Sequence, residues 1–297
     1  GALVRQPETG ATGSEAVRPG YFALDVTQPN PLDATAFGFV PDAIDAAGKD
    51  PEAIPGCLST NGSTPTGCPR PYPQRLWEFT DRSPATGQPW DEDDNGDGDL
   101  GVPWSKPVPT RIRLLTGAVD PQTQRPITED RFVVVVGGGL DPLFKAASQP
   151  RFGNFVYILD AETGQPLYKR EVDGSVPSVA VLDPDGDNVA NVIYFGTTTG
   201  RVYKIDVSQA QQLVDVAVRD RNDVMTTVKR IPAAAWNPFV IFRTGADQPI
   251  YLQMQVLFIQ RLGQFALVFG TGDRDDLWDP AGGQGRLYTI VDEGFTP

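Results

Sequence analysis

The sequence predicts an all-β fold, on three observations. First, 31 Gly and 28 Pro are spread through 297 residues and fall between short apolar runs, the punctuation of many tight turns. Second, the recurring apolar runs are short and alternate with period two, as strands do. Third, one strand pattern recurs along the chain, the mark of a repeated supersecondary unit. A hydrophobic share of 40% is enough to build a core, and no run is long enough to cross a bilayer.

The recurring pattern is an alternating apolar strand with an aromatic at its centre, usually closed by aspartate. It reads Gly20-Tyr-Phe-Ala-Leu-Asp25, Phe155-Val-Tyr-Ile-Leu-Asp160, Arg201-Val-Tyr-Lys-Ile-Asp206 and Arg286-Leu-Tyr-Thr-Ile-Val291, the last with Val291 in the aspartate position. With Phe22, Tyr157, Tyr203 and Tyr288 taken as equivalent, the steps are 135, 46 and 85 residues. The shortest step is the length of one propeller blade, roughly 40–50 residues. Each later copy follows a second apolar strand ending in glycine: Val133–Val136 before Gly137-Gly-Gly139, Ile193–Phe195 before Gly196, and Ala266–Phe269 before Gly270. Strand, glycine turn and strand make a hairpin, and hairpins repeated radially make a propeller. Ala161–Tyr168 reads as a turn into an outer strand, and Leu76-Trp-Glu-Phe79 as the outer strand of the first blade. An ordinary β-sandwich is the competing architecture; four copies in register favour a modified β-propeller with about four recognisable blades, either a whole small propeller or part of a larger one. Residues 1–297 are then one propeller domain, with insertions at about 27–74 and 81–100.

Composition narrows the chemistry. There is no histidine, so Ser-His-Asp and Cys-His catalysis and histidine-ligated metals are excluded. Two Cys and two Met leave almost no soft-metal ligands, whereas hard, oxygen-ligated cations remain. A net charge of −13 argues against a nucleic-acid partner. Cys57 and Cys68 bracket a Gly-, Pro-, Ser- and Thr-rich loop, and a disulfide between them is the natural reading, implying an oxidising compartment. Asn61-Gly-Ser63 fits a glycosylation sequon, a three-residue signal of low specificity. The chain opens on Gly1-Ala-Leu-Val4, the pattern of mid-strand, with no signal peptide, and reads as a processed or partial chain.

The strongest chemical signal is Asp183-Pro-Asp185-Gly-Asp187-Asn-Val189-Ala-Asn191. Oxygen side chains stand at loop positions one, three, five and nine, and Val189 offers its carbonyl at position seven. That is the ligand spacing of a calcium loop, in which a divalent ion offsets the mutual repulsion of three carboxylates. Position twelve, the bidentate Glu of an EF-hand, is Tyr194 within an apparent strand, so the expectation is a Ca2+ loop on a β-hairpin. A second run, Asp91-Glu-Asp93-Asp-Asn95-Gly-Asp97-Gly-Asp99, fits the same spacing in two registers, starting at Asp91 or at Asp93; calcium ligation through Asp91, Asp93, Asn95, Asp97 and Asp99 is favoured over the alternative of a merely acidic loop. The carboxylates Asp273, Asp275, Asp276 and Asp279 are irregularly spaced and read as solvated.

These landmarks in order, Gly20–Thr27 with Pro29, Leu76–Phe79, Leu100-Gly101 with Trp104-Ser-Lys-Pro107, Val133–Gly139, Tyr157–Gly164, the aspartate loop, Gly200–Asp206, Gln248-Pro-Ile250 and Phe269-Gly-Thr-Gly272, resemble those of the PilC/PilY family of type IV pilus tip and biogenesis proteins. The resemblance implies a modified β-propeller that binds calcium through positions matching Asp183, Asp185, Asp187, Val189 and Asn191. The family's last ligand is Asp; Asn191 is neutral, which implies weaker affinity. It further implies a non-enzymatic, extracellular protein at the pilus tip (the fimbrium), partnered by minor pilins and by a host or abiotic surface, supporting pilus assembly, adhesion and twitching motility. The family's variable N-terminal region is not in this sequence, so adhesion specificity does not carry over. Two further resemblances set alternatives. Tyr157–Gly164 is also similar to the strand-turn signature of quinoprotein dehydrogenase propellers, and Asp183–Gly196 to the repeat of integrin-like calcium propellers.

Overall fold

The computed structural model of the chain describes residues 20–25, 74–80, 92, 99–141, 152–219, 224–245, 248–272 and 285–294. Every regular element among them is a β-strand, and none of these residues belongs to a helix long and apolar enough to cross a membrane. The chain divides into two compact units, Phe22–Glu78 and the remainder. β1 (Gly20–Asp25) pairs with β2 (Gln74–Thr80) in a two-stranded sheet, as expected for the repeat strand and its outer neighbour. The insertion between them, with Cys57 and Cys68, lies outside the described residues, as does most of the insertion at 81–100.

Among its described residues the larger unit holds two four-stranded meanders and a three-stranded one. In the first sheet β3 (Val108–Val119), β4 (Pro126–Gly137), β5 (Phe155–Asp160) and β6 (Pro166–Glu171) pair antiparallel in chain order. The second repeats this order with β7 (Ser178–Leu182), β8 (Val192–Gly196), β9 (Arg201–Asp206) and β13 (Phe239–Arg243). Between β9 and β13 the chain makes an excursion. Its two-residue β10 (Gln211–Gln212) adds parallel to β3, and β11 (Val214–Arg219) and β12 (Met225–Arg230) form a separate hairpin. A third sheet holds β14 (Gln255–Ile259), β15 (Gln264–Gly270) and β16 (Leu287–Val291).

These are propeller blades. Three of the four recurring motifs, β5, β9 and β16, are the third strand of a meander, each glycine-terminated run is its second strand, and β6 is the outer strand placed by the sequence after Ala161–Gln165; the first copy, β1, pairs among the described residues with β2 alone. The middle sheet is buried on both faces, so its strands read as continuous apolar runs. Ile193, Phe195, Tyr203 and Ile205 pack against Ile112, Leu114, Val133, Val135, Val156 and Ile158 of the first sheet. On the other face Tyr194 and Val202 pack with Ile250, Met254, Leu267 and Phe269 around the third sheet. In the later copies the motif aromatic packs toward what precedes it: Tyr157 meets Phe79 edge-on at 5.1 Å, Tyr203 joins the cluster of the first sheet, and Tyr288 lies in the cluster shared with the second, whereas Phe22 of the first copy is exposed. The closing aspartates tie the turn beyond the strand. Asp160 Oδ1 accepts the N–H groups of Glu162 (2.9 Å) and Thr163 (3.0 Å), and Asp206 Oδ1 accepts that of Ser208 (2.9 Å).

Glycine is a packing requirement at two of the second-strand ends, where a Cβ on Gly137 would stand 2.2 Å from the Val176 carbonyl oxygen and one on Gly196 2.4 Å from Ile250 Cγ2, whereas one on Gly270 would meet nothing nearer than 4.0 Å. A Cβ on Gly139, whose φ is +94°, would stand 2.1 Å from the carbonyl oxygen of Val102.

Candidate metal centre

The aspartate loop joins β7 to β8. Its base is closed by the Asn191 N–H donating to Leu182 O at 3.0 Å, and the strands then pair from Leu182↔Val192 to Ser178↔Gly196. Asp183 organises the turn: its Oδ1 accepts the N–H of Gly186 and its Oδ2 that of Asn188, both at 2.7 Å. The bend needs the left-handed region at Gly186 (φ +75°) and Asn188 (φ +63°), which Gly and Asn adopt most readily. Asp187 Oδ1 accepts the N–H of Val189 at 2.8 Å. As a result one carboxylate oxygen from each of Asp183, Asp185 and Asp187 lies within 4.8 Å of the others.

Burial works against ionisation of Asp183, but hydrogen bonding to Asp185 and to the N–H groups of Gly186, Asn188 and Asp187 outweighs it and holds the carboxyl below its ordinary value. Three carboxylates at this separation repel one another, and the screening is supplied partly from another sheet. Arg113 on β3 donates to Asp187 Oδ2 at 3.1 Å. Arg111 on the same face of β3 donates to the carbonyls of Asn188 (3.0 Å) and Asp187 (3.3 Å), and its own carbonyl accepts the Ala190 N–H at 2.8 Å. Sequence reasoning missed both arginines. The signal was present as Arg111-Ile112-Arg113, which puts two cations on the face of β3 opposite the fully buried Ile112.

Of the predicted ligands, Asp183, Asp185 and Asp187 are brought together at the tip. Val189 is 4% exposed and anchors the loop's return to the sheet. Asn191 stands at the base, and its Oδ1 is wholly buried with no hydrogen-bond partner. An orphaned amide oxygen in the same loop as three gathered carboxylate oxygens suits a hard divalent cation such as Ca2+.

The second acidic run is described only at Glu92 and Asp99. Asp91, Asp93, Asn95 and Asp97 lie outside the described residues, as do Asp273, Asp275, Asp276 and Asp279. Asp99 is 2% exposed; its Oδ2 accepts Lys169 Nζ at 2.5 Å and the Glu92 N–H at 3.2 Å, which commits that oxygen to the first sheet. Nearby, a cavity of about 370 Å³ opens between β6 and the β11–β12 hairpin, lined by Tyr168, Lys169, Arg170 and Arg230 among others. Its charges are tied internally: Arg230 to Glu92 at 2.6 Å, and Arg170 to the carbonyls of Pro232 (2.6 Å) and Ala235 (3.2 Å).

No protein-family model matches the chain, and no curated protein sequence matches it. Among solved structures it is similar to the C-terminal domain of Pseudomonas aeruginosa PilY1, at 22% identity and a TM-score of 0.45, over 74% of this chain. The match covers 41% of that domain's chain, so this protein spans about two fifths of its length. It is also similar to BBS1N, solved in complex with ARL6DN, at 17% identity and a TM-score of 0.22, over 74% of this chain and 60% of that one. With both TM-scores below 0.5, neither likeness by itself carries a function to this chain.

Proposed function

We propose that this chain is a calcium-binding β-propeller segment of a type IV pilus tip or biogenesis protein, acting outside the cell and without catalysis of its own. The single observation that carries the calcium reading is the Asp183–Asn191 loop, with three carboxylate oxygens gathered within 4.8 Å and a buried, unpartnered amide oxygen at its base. The pilus reading is supported by the ordered motif series from Gly20 to Gly272, of which Val133–Gly139, Tyr157–Asp160 and Arg201–Asp206 lie on or run into strands of successive meanders. Minor pilins are the proposed partners, with a host or abiotic surface as the adhesion target; the Cys57/Cys68 loop suits an oxidising exterior.

In this reading the ion binds Asp183, Asp185 and Asp187, with the Val189 carbonyl and Asn191 completing the shell. Its charge replaces carboxylate repulsion by attraction, and binding to the folded state alone adds stability by mass action. The loop bridges β7–β8 to β3, so ordering it couples two blades and stiffens one surface for pilus contact.

The test is a thermal melt in excess chelator followed by a calcium titration, with Asp185→Ala alongside. A calcium-dependent rise in Tm that the variant loses is expected. An unchanged Tm in the wild-type chain would remove calcium from the function.

A further inference from the structure

We propose that Arg113 is a built-in competitor for the metal: it holds Asp187 in the calcium-free loop, must be displaced from it when the ion binds, and so sets the loop's calcium affinity. This rests on the calcium reading above, and the residues fit that ion on the evidence of the orphaned Asn191 Oδ1.

The geometry is that of a shared guanidinium. Arg113 is paired across β3–β4 with Asp130. Its Nε stands 3.0 Å from Asp130 Oδ1, while its terminal amino group reaches over to Asp187 Oδ2 at 3.1 Å. Asp187 Oδ1 is already engaged by the Val189 N–H, so the guanidinium occupies the carboxylate oxygen that the turn leaves over. An incoming divalent cation therefore meets a fixed positive charge on one of its three carboxylates. Two effects oppose it: loss of the Arg113–Asp187 pair and repulsion between the guanidinium and the ion. Neither is prohibitive. Arg113 and Asp187 are 38% and 37% exposed, so the pair is screened by water, and the displaced guanidinium keeps Asp130. The arrangement neutralises one carboxylate when calcium is scarce and yields when calcium is abundant. Arginine suits this task because it never loses its charge and its fork can serve two carboxylates at once.

The experiment measures Ca2+ binding by calorimetry on the full chain, wild type against Arg113→Met and Arg113→Gln, at low and high ionic strength. Both variants remove the charge; Met keeps the packing of the stem and Gln keeps a donor. Arg131→Met is the control, since Arg131 pairs with Glu129 and Asp160 and makes no contact with the loop. Melts in chelator confirm that each variant is folded, and if one is not, the other decides. The Arg113 variants are expected to bind calcium about fivefold tighter than wild type at low salt. The advantage shrinks toward unity at roughly 0.5 M salt, because its origin is unscreened charge. The control is expected to match wild type. Equal or weaker binding by the Arg113 variants, with wild type binding normally, overturns the competitor role and leaves the calcium reading intact. Binding by the variants alone supports the competitor role in its strongest form. Absence of calcium binding in wild type and variants alike overturns both readings.

Discussion

Lys204 Nζ stands 2.7 Å from Asp292 Oδ2, so β9 of the second sheet is ionically tied to the residue that follows β16 in the third. Tyr194 on β8 donates its hydroxyl to the same carboxylate oxygen. The pair is well buried, with side-chain exposures of 6% and 10%. It also accounts for the irregular fourth copy of the repeat. The other third strands close with aspartate at the position of Val291; here aspartate comes one residue later. Because side chains alternate across a strand, that single step turns Asp292 toward the preceding blade, where Lys204 waits.

The Asp292 carboxyl titrates below its ordinary value of 3.8. Burial opposes its ionisation, and the Lys204 ammonium and Tyr194 hydroxyl overcome that opposition. A carboxylate whose folded value is depressed contributes stability above its unfolded value and loses it as the pH falls through the folded one. Asp292→Asn is expected to lower stability at pH 7 by about 3 kcal/mol, by stranding the buried ammonium. It should also flatten the acid limb of the stability curve below pH 4. Denaturant melts from pH 7 to pH 2 check both; a parallel limb in the variant would contradict the assignment.

Two glycines in the left-handed region are expected to respond differently to alanine. At Gly139 the new methyl meets the Val102 carbonyl at 2.1 Å, whereas at Gly186 nothing stands within 4 Å. Gly139→Ala therefore combines backbone strain with a clash and should cost about 3 kcal/mol or more. Gly186→Ala carries only the strain, about 1 kcal/mol. Chemical denaturation of the two variants, both in chelator, gives the comparison.

Arg111 fastens the aspartate loop to β3 through two carbonyls, at an exposed site. Arg111→Ala should change global stability by less than about 1 kcal/mol. Its effect is expected locally, as faster hydrogen exchange at the amides of Asn188 and Ala190, with the β8 amides unchanged.

Asn191→Asp adds a fourth carboxylate to the loop. It should tighten calcium binding about tenfold, since ligand charge tunes such sites. In chelator the same substitution should lower Tm, because the added charge then joins three carboxylates with no ion to offset them. Opposite signs in the two conditions are the result to look for; a fall in both would assign Asn191 a packing role instead.

Much of this was legible in the residues because it depends on local chemistry. Turn residues, period-two alternation and the repeated strand specify hairpins whatever surrounds them, and the 183–191 spacing is local to one loop. The Asp91–Asp99 run shows where local reading stops: Asp99 also fits a packing residue, and it is Lys169 on β6, seventy residues away, that engages its Oδ2. The β10–β12 excursion was likewise illegible. Nothing in Gln211-Gln212 foretells a parallel pairing with Leu114 and Leu115.

By itself the sequence determined the all-β class, the blade-like repeat, the exclusion of histidine chemistry and the gathering of three aspartates in one turn, all consequences of composition and of contacts between near neighbours. Only the tertiary structure decided which cations face those aspartates, where Asp292 points and which glycines are irreplaceable. Those depend on how blades stack, and stacking brings together residues such as Arg113 and Asp187, seventy-four positions apart, whose proximity no local pattern encodes.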